Sequence, residues 1–302
     1  STTLSPVAPL LAAALVAMSS ACTVSAAKVG VRPMHIHLGL EGAATTSVTV
    51  TWRSTTSRGV VRYGVGEKLG QRQVAHSRSY HGGFIHEARL QGLKPATTYR
   101  YRCGEGTNLS PAYSFRTAPA PGDTAPLRFV AMGDSRTNDA ARRKVVAAAL
   151  ATKPAFLLHT GDLIANGYSQ GQWDRWFATM EPIAARAPML IAIGNHEKNA
   201  PHYFKQLALP THGNWHAQGY EKEAFYSIDY GPMHIVALST EPVGSPTGAQ
   251  TRWLMADLSA ARKNPATRWI IVMGHRPPVS CGSHGDHLPA KRAWTALFEK
   301  HG

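Results

Sequence analysis

Apolar and polar residues alternate at period two through Val48–Arg53, Gly59–Tyr63, Phe84–Leu90, Tyr99–Cys103 and Tyr113–Arg116. Such alternation predicts half-buried strands, one face turned to a core and one to water. Gly64, Gly82-Gly83 and Lys94-Pro95 punctuate the runs with turn chemistry. About seven short strands inside residues 33–118 predict a small β-sandwich. The segment 119–126 carries three prolines and no apolar period, and reads as a short, semi-stiff linker.

The pattern changes at Leu127. Short apolar runs (127–132, 155–159, 189–193, 269–273) alternate with segments of helical period (139–152, 172–185, 247–263). Residues 224–230 and 233–238 read as an antiparallel pair turned at Gly231-Pro232. Arg292–Lys300 has helical spacing, with His301-Gly302 as its cap. Strands alternating with helices predict an α/β domain over 127–302. Trp173, Trp176 and Phe177 recur at helical spacing and read as core. His35, His37 and His86 lie within strands and read as structural or exposed groups.

Composition adds to this picture at the start of the chain. Pro9–Met18 is a ten-residue apolar run followed by small residues through Ala27, with no charge before Lys28. That is too short to span a bilayer, which takes ~20 residues, and it reads as a signal-peptide-like leader over 1–27. Export to a periplasmic or extracellular space is expected, with a lipid anchor at Cys22 the lesser alternative. The chain of 302 residues is 43% hydrophobic and 17% charged, an ordinary globular balance that excludes a disordered chain, a collagen or a coiled coil. Its net charge of +14 favours anionic partners. The basic residues form no single stripe, so nucleic acid is not an expected partner. Cys22, Cys103 and Cys281 are too few for a disulfide scaffold. Cys103 and Cys281 fall in different predicted domains, and a bridge between them would need the two packed face to face.

The candidate chemistry follows the apolar strands. Gly133-Asp134-Ser135-Arg136, Gly161-Asp162-Leu163, Gly194-Asn195-His196-Glu197 and Gly274-His275-Arg276 each come directly after one. In α/β sheets functional groups collect beyond the carboxyl ends of strands. Glycine is expected to turn the backbone there and aim the next side chain at a common point. Carboxylate, amide oxygen and imidazole together suit first-row divalent metals or iron better than calcium. One such cluster is usually a turn; four in this order are not.

The series Gly-Asp, Gly-Asp, Gly-Asn-His-Glu, Gly-His resembles the calcineurin-like metallophosphoesterase superfamily. Pro33–Leu38, Gly83–His86 and Leu93–Gly104 resemble the N-terminal domain of purple acid phosphatases, with a fibronectin type III-like turn and Tyr at Leu93–Tyr99. The resemblance implies a β-sandwich followed by a four-layer α/β/β/α metallophosphoesterase domain. It implies two metal ions, iron with zinc, manganese or a second iron. Asp134 would bind the first, Asp162 would bridge both, and Asn195 and His275 would bind the second. His196 would contact phosphate and protonate the leaving group. His284, in the loop Ser280–Gly285, together with Arg136 and Arg276, would bind substrate. Metal-activated hydroxide would attack phosphorus in line.

The sequence departs from that pattern at three places. Ala165 stands where purple acid phosphatases carry the Tyr that binds ferric iron, and Tyr168 lies three residues further on. Arg136 stands where many relatives have a His two residues after the first Asp. No Gly-His-x-His follows His275, so the domain is expected to be C-terminally incomplete and the chain a fragment of a longer enzyme. The expected function is an exported phosphomonoesterase acting on phosphate esters. A phosphodiesterase or nucleotidase on the same fold, or an inactive binding module, are the alternatives.

Overall fold

A computed structural model describes residues 29–211, 223–241 and 248–301. The leader-like segment 1–27, Thr247 and Gly302 lie outside the described residues. Nine strands come first: β1 Met34–Gly39, β2 Val48–Ser54, β3 Val60–Val65, β4 Gln71–Val74, β5 His76–Tyr80, β6 Gly83–Leu90, β7 Thr98–Glu105, β8 Asn108–Leu109 and β9 Tyr113–Arg116. They form two sheets, ordered β1-β2-β6-β5 and β4-β3-β7-β8, with β9 pairing the other end of β7 on the same edge as β8, opposite β3. Val48, Val50 and Trp52 of β2 pack with Val61, Tyr101 and Phe115 of the facing sheet. The sandwich is the expected one, but β4 (QRQV) and β5 (HSRSY) carry no apolar alternation. Both close the edge of a sheet, where few side chains are buried and little pattern is required.

The second part contains β10 Val130–Met132, α1 Asp139–Ala151, β11 Leu157–His159, α2 Gln170–Ala184, β12 Met189–Ile191 and a 3₁₀ turn at Asn195–Glu197. After these come α3 Pro201–Gln206, β13 Tyr226–Tyr230, β14 Met233–Ala237, α4 Ala249–Lys263, β15 Trp269–Met273 and α5 Leu288–His301. β10, β11 and β12 are parallel. β13 and β14 form the expected hairpin, turned at Gly231 with φ 61°, and β15 runs parallel to β14. β10, β11 and β12 are each shorter than their apolar runs, because pairing ends where the chain leaves the sheet for the site loops.

Strand β14 shows why the domain has four layers. Met233, Ile235 and Ala237 point into the core shared with Phe156, Leu190 and Tyr230. Val236, together with Leu238, points the other way, against Leu254 and Leu258 of α4 and Trp294 of α5. A strand alternates its faces, so buried residues at every position need cover on both sides. Two sheets back to back, with α1 and α2 outside one and α4 and α5 outside the other, supply it.

The sandwich and the α/β part share one core, and α2 is the seam. Arg53 of β2 donates to Asp174 at 2.6 Å, and both side chains are at most 3% exposed. Ile36 N–H and Tyr113 O–H donate to Glu181, and Tyr80 O–H donates to Gln170. Tyr101 O–H donates to the Ala185 carbonyl. His37 stacks on Phe177 and bonds the carbonyls of His35 and Gln206. His86 lies between Ser54 and Ser77 against Trp52. His35, His37 and His86 are therefore buried structural groups, and Trp173, Trp176 and Phe177 are core. The two domains do pack together, yet Cys103 is buried in β7 and Cys281 is exposed on a loop, and neither is bridged.

Candidate metal centre

Four loops at the carboxyl ends of β10, β11, β12 and β15 converge on one pocket of about 490 Å³. Asp134, Asp162, Asn195, His196, His275 and Arg136 all line it. Arg276 and His284 line it too, so every residue singled out from the sequence reaches the same place.

The backbone reaches this arrangement by a route that differs from the expected one. Of the four cluster glycines only Gly161 has a positive φ, 93°. The two aspartates themselves take the left-handed conformation, Asp134 at φ 49° and Asp162 at φ 57°. Non-glycine residues adopt it at a cost, and such strain collects at functional sites. Gly194 serves by its lack of a side chain: a Cβ there would lie 2.4 Å from Asp162 Oδ1 and 2.8 Å from Glu197 Oε2.

His275 shows what the centre is built for. Its Nδ1 lies 2.9 Å from the Thr160 carbonyl oxygen, which can only accept, so Nδ1 carries the proton. In the neutral ring Nε2 then presents a lone pair. That lone pair faces Asn195 Oδ1 at 3.0 Å and Asp162 Oδ1 at 3.3 Å. Asp162 Oδ1, Asn195 Oδ1 and Nε2 of the neutral ring thus converge as three ligand atoms that a shared cation would take. Ligand atoms of Asp134, Asp162 and His275 also lie within 4.8 Å of one another. Carboxylate, amide oxygen and imidazole fit a first-row divalent ion.

Asp162 is buried and divides its oxygens. Oδ1 faces His275 and accepts the His196 N–H at 3.0 Å. Oδ2 accepts from Arg136 Nη1 at 2.5 Å. The same Nη1 donates to Asp134 Oδ1 at 2.7 Å. Arg136 therefore lines the pocket as expected, but one of its nitrogens is held between two of the expected metal ligands.

His196 Nδ1 bonds the Ala165 carbonyl at 2.8 Å, leaving Nε2 3.8 Å from Asp162 Oδ2. Arg276 is paired with Glu241, and its backbone N–H donates to Thr240. The His284 loop is closed by His287 N–H donating to the Pro277 carbonyl and by Asp286, which accepts from Ser280 N–H and pairs with Lys291. Burial and the neighbouring Arg276 hold the His287 imidazole below its usual range.

The sequence reading gave no role to Glu197. Its buried carboxylate accepts N–H groups from Asp162 (2.9 Å), Leu163 (2.8 Å), Ile164 (3.4 Å) and Gly194 (2.8 Å). Burial pushes this carboxyl up, and the N–H donors work against that. Glu197 thereby ties the Asp162 loop to the Asn195 loop. Its only sequence signal was its place three residues after Gly194. His159 was missed as well: it bonds Ser135 Oγ through Nε2 and the Gly161 N–H through Nδ1, and burial lowers its pKa to about 3. Trp176 Nε1–H also donates to Ser135 Oγ, which fixes the loop that bears Asp134 and Arg136.

Back-to-back sheets with acidic, amide and imidazole groups gathered at their strand ends, flanked by arginines, define a class of layered α/β domain with a candidate metal centre. Comparison with known proteins places the chain within it. Residues 127–302 match the calcineurin-like phosphoesterase family, and residues 33–117 match the purple acid phosphatase N-terminal domain. The chain belongs to the calcineurin-like phosphoesterase family, in its purple acid phosphatase-like branch.

Human (Homo sapiens) acid phosphatase type 7 is 32% identical over 267 residues, covering 81% of this chain and 59% of the relative. Purple acid phosphatase 22 of Arabidopsis thaliana is 27% identical, covering 81% of this chain and 57% of the relative. The chain thus spans less than two thirds of the length of these relatives. A purple acid phosphatase from yellow lupin (Lupinus luteus) seeds shares the fold, with TM-score 0.77 at 21% identity over 89% of this chain and 57% of that one. PhoD shares it with TM-score 0.66 at 14% identity, over 91% of this chain and 70% of that one.

Proposed function

We propose that this chain carries the active site of an exported, metal-dependent phosphomonoesterase. The observation that carries the reading is the convergence of Asp162 Oδ1, Asn195 Oδ1 and His275 Nε2 beside a cation-lined pocket. The names of the relatives, acid phosphatases, agree with it. The leader-like composition of residues 1–27 supports export. No helix among the described residues is long and apolar enough to cross a membrane.

A divalent ion held by Asp162, Asn195 and His275 would supply Lewis-acid charge to a phosphoryl oxygen and to an attacking water. The chain's own groups do the rest. Thr160 fixes the His275 tautomer, so that Nε2 stays available as a ligand atom. Glu197 sets the spacing of the two loops that bear Asp162 and Asn195. His196 is held by Ala165 through Nδ1, which leaves Nε2 to carry a proton to the departing oxygen. Arg136, Arg276 and His284 place positive charge or hydrogen-bond donors around the phosphoryl oxygens. A two-ion centre, as the resemblance implies, would need a second set of ligand atoms. On the Asp134 side the described residues offer Asp134 and Asp162, with Arg136 between them.

The test compares p-nitrophenyl phosphate with bis(p-nitrophenyl) phosphate on the chain dialysed against Mn²⁺, Zn²⁺ or Fe²⁺. Monoester turnover that a chelator removes, and that Asp162→Asn lowers by about 100-fold or more, is the expected result. Preferred turnover of the diester would make it a phosphodiesterase. No turnover with metal bound would leave a binding module.

A further inference from the structure

We propose that the outer face of the sheet containing β4, β3, β7 and β9 docks this protein on an anionic phospholipid bilayer through an array of arginines. The inference concerns the sandwich and goes beyond the catalytic reading above.

Strand pairing assembles the array. Arg72 of β4 lies directly opposite Arg62 of β3, and Arg62 lies directly opposite Arg102 of β7. Residues in register share a face, so the three stand in one row across three strands, about 10 Å from first to last. Arg100 follows two residues along β7, about 7 Å away. Arg116 of β9 pairs with Thr98, two residues further on. Tyr63, Tyr99, Tyr101 and Phe115 take the alternate positions and face the core. The arginines therefore stand on the outer face, with Arg62, Arg72 and Arg116 exposed and Arg100 and Arg102 half-buried.

Folding alone gives no reason for this row. Like charges directly opposite one another destabilise a sheet. Charge does protect an edge strand, which accounts for Arg72 on β4. Arg62 and Arg102 sit on inner strands, where that reason fails. The outer positions of these four strands carry no carboxylate. Glu67, in the turn after β3, pairs with Arg100, and Arg102 Nε donates to the Ser110 carbonyl at 2.8 Å. Among the described residues, no hydrogen bond or ion pair reaches the side chains of Arg62, Arg72 or Arg116. Their charge is left for an external anion.

The layout of the face selects the partner. The charges extend both across the strands and along them, so they match a plane of anions rather than a single line. The aromatic residues of β3, β7 and β9, on which nucleic-acid bases would stack, are on the opposite face. Val74 lies two residues from Arg72 on the outer face and is 55% exposed. An apolar group beside cations suits a bilayer interface, where both are taken up. The net charge of +14 draws the chain to an anionic leaflet, and the array sets which face arrives. None of these arginines lines the metal-centre pocket.

The test is flotation of the full chain with vesicles of phosphatidylcholine, alone or mixed with phosphatidylglycerol. Wild type is expected to float with the mixed vesicles only, and to be released in about 1 M NaCl, where the Debye length falls to about 3 Å. A basic residue at an anionic surface contributes roughly fivefold in affinity, so Arg62→Gln combined with Arg72→Gln is expected to weaken binding at least tenfold. Arg143→Gln combined with Lys144→Gln makes the same charge change on an exposed part of α1, and is expected to weaken it by less than about threefold. Phenylglyoxal labelling of wild type, mapped by mass spectrometry, reads the same face without a variant: mixed vesicles should protect Arg62 and Arg72 and leave Arg143 reactive. Equal binding to both vesicle types, binding to neither, or equal loss in the two paired variants overturns the proposal. So does protection of Arg143 to the same extent as Arg62. Retention of double-stranded DNA without binding to vesicles overturns it in favour of a linear polyanion.

Discussion

Replacing Glu197 by Gln tests whether one buried carboxylate holds the centre together. Oε2 accepts the N–H groups of Asp162 and Gly194, and Oε1 accepts those of Leu163 and, more distantly, Ile164. A glutamine keeps one oxygen and turns an NH₂ group toward the N–H groups that faced the other. Hydrogen bonds to a charged group contribute about 1.5–3 kcal/mol each, so the loss of two costs about 3–6 kcal/mol. That is a large share of a net stability of about 5–15 kcal/mol. The loss falls on the loops that place Asp162 and Asn195, so affinity for Mn²⁺ drops along with stability. Urea unfolding followed by tryptophan fluorescence measures the first effect, and Mn²⁺ titration the second. A Glu197→Gln variant within about 1 kcal/mol of wild type, with unchanged Mn²⁺ affinity, would refute the reasoning.

The seam between the domains and a remote ion triad give two further expectations. Asp174→Ala leaves Arg53 charged and buried, and is expected to cost about 3–5 kcal/mol in urea unfolding; replacing both residues with apolar ones should recover much of that, and an unchanged midpoint for the single variant would remove the seam's role. His234 on β14 lies 2.7 Å from Asp229 and 2.9 Å from Asp257. Burial opposes its charge, but the two carboxylates outweigh that and raise its pKa to about 9. The stabilisation is therefore full below about pH 6.5, the unfolded value, and is lost as pH rises through about 9. Asp229 is half exposed, so the loss is about 1–2 kcal/mol. Melting temperatures at pH 6 and pH 9.5 should fall further apart for wild type than for His234→Gln, and equal differences would rule the triad out.

Much of the fold was legible because strand and helix periods are local. Val48, Val50 and Trp52 declare an inward face within seven residues, whatever packs against it. The four polar clusters were legible for a related reason: each directly follows an apolar run, and a run that ends at a sheet edge delivers the next residues to the same rim. The edge strands β4 and β5 were not legible, because they bury too little to need a pattern. Sequence also placed Arg136 beside a metal ligand, but its bond to Asp162 spans 26 positions, and its sharing with Asp134 exists only once β10 and β11 lie side by side. Glu197 reaches back more than thirty positions to the Asp162 loop, and Arg53 meets Asp174 across 121. Burial is written along the chain as hydrophobic period. The choice of partner for a buried charge is not, because it depends on which distant segments the packing of sheets and helices brings within 3 Å.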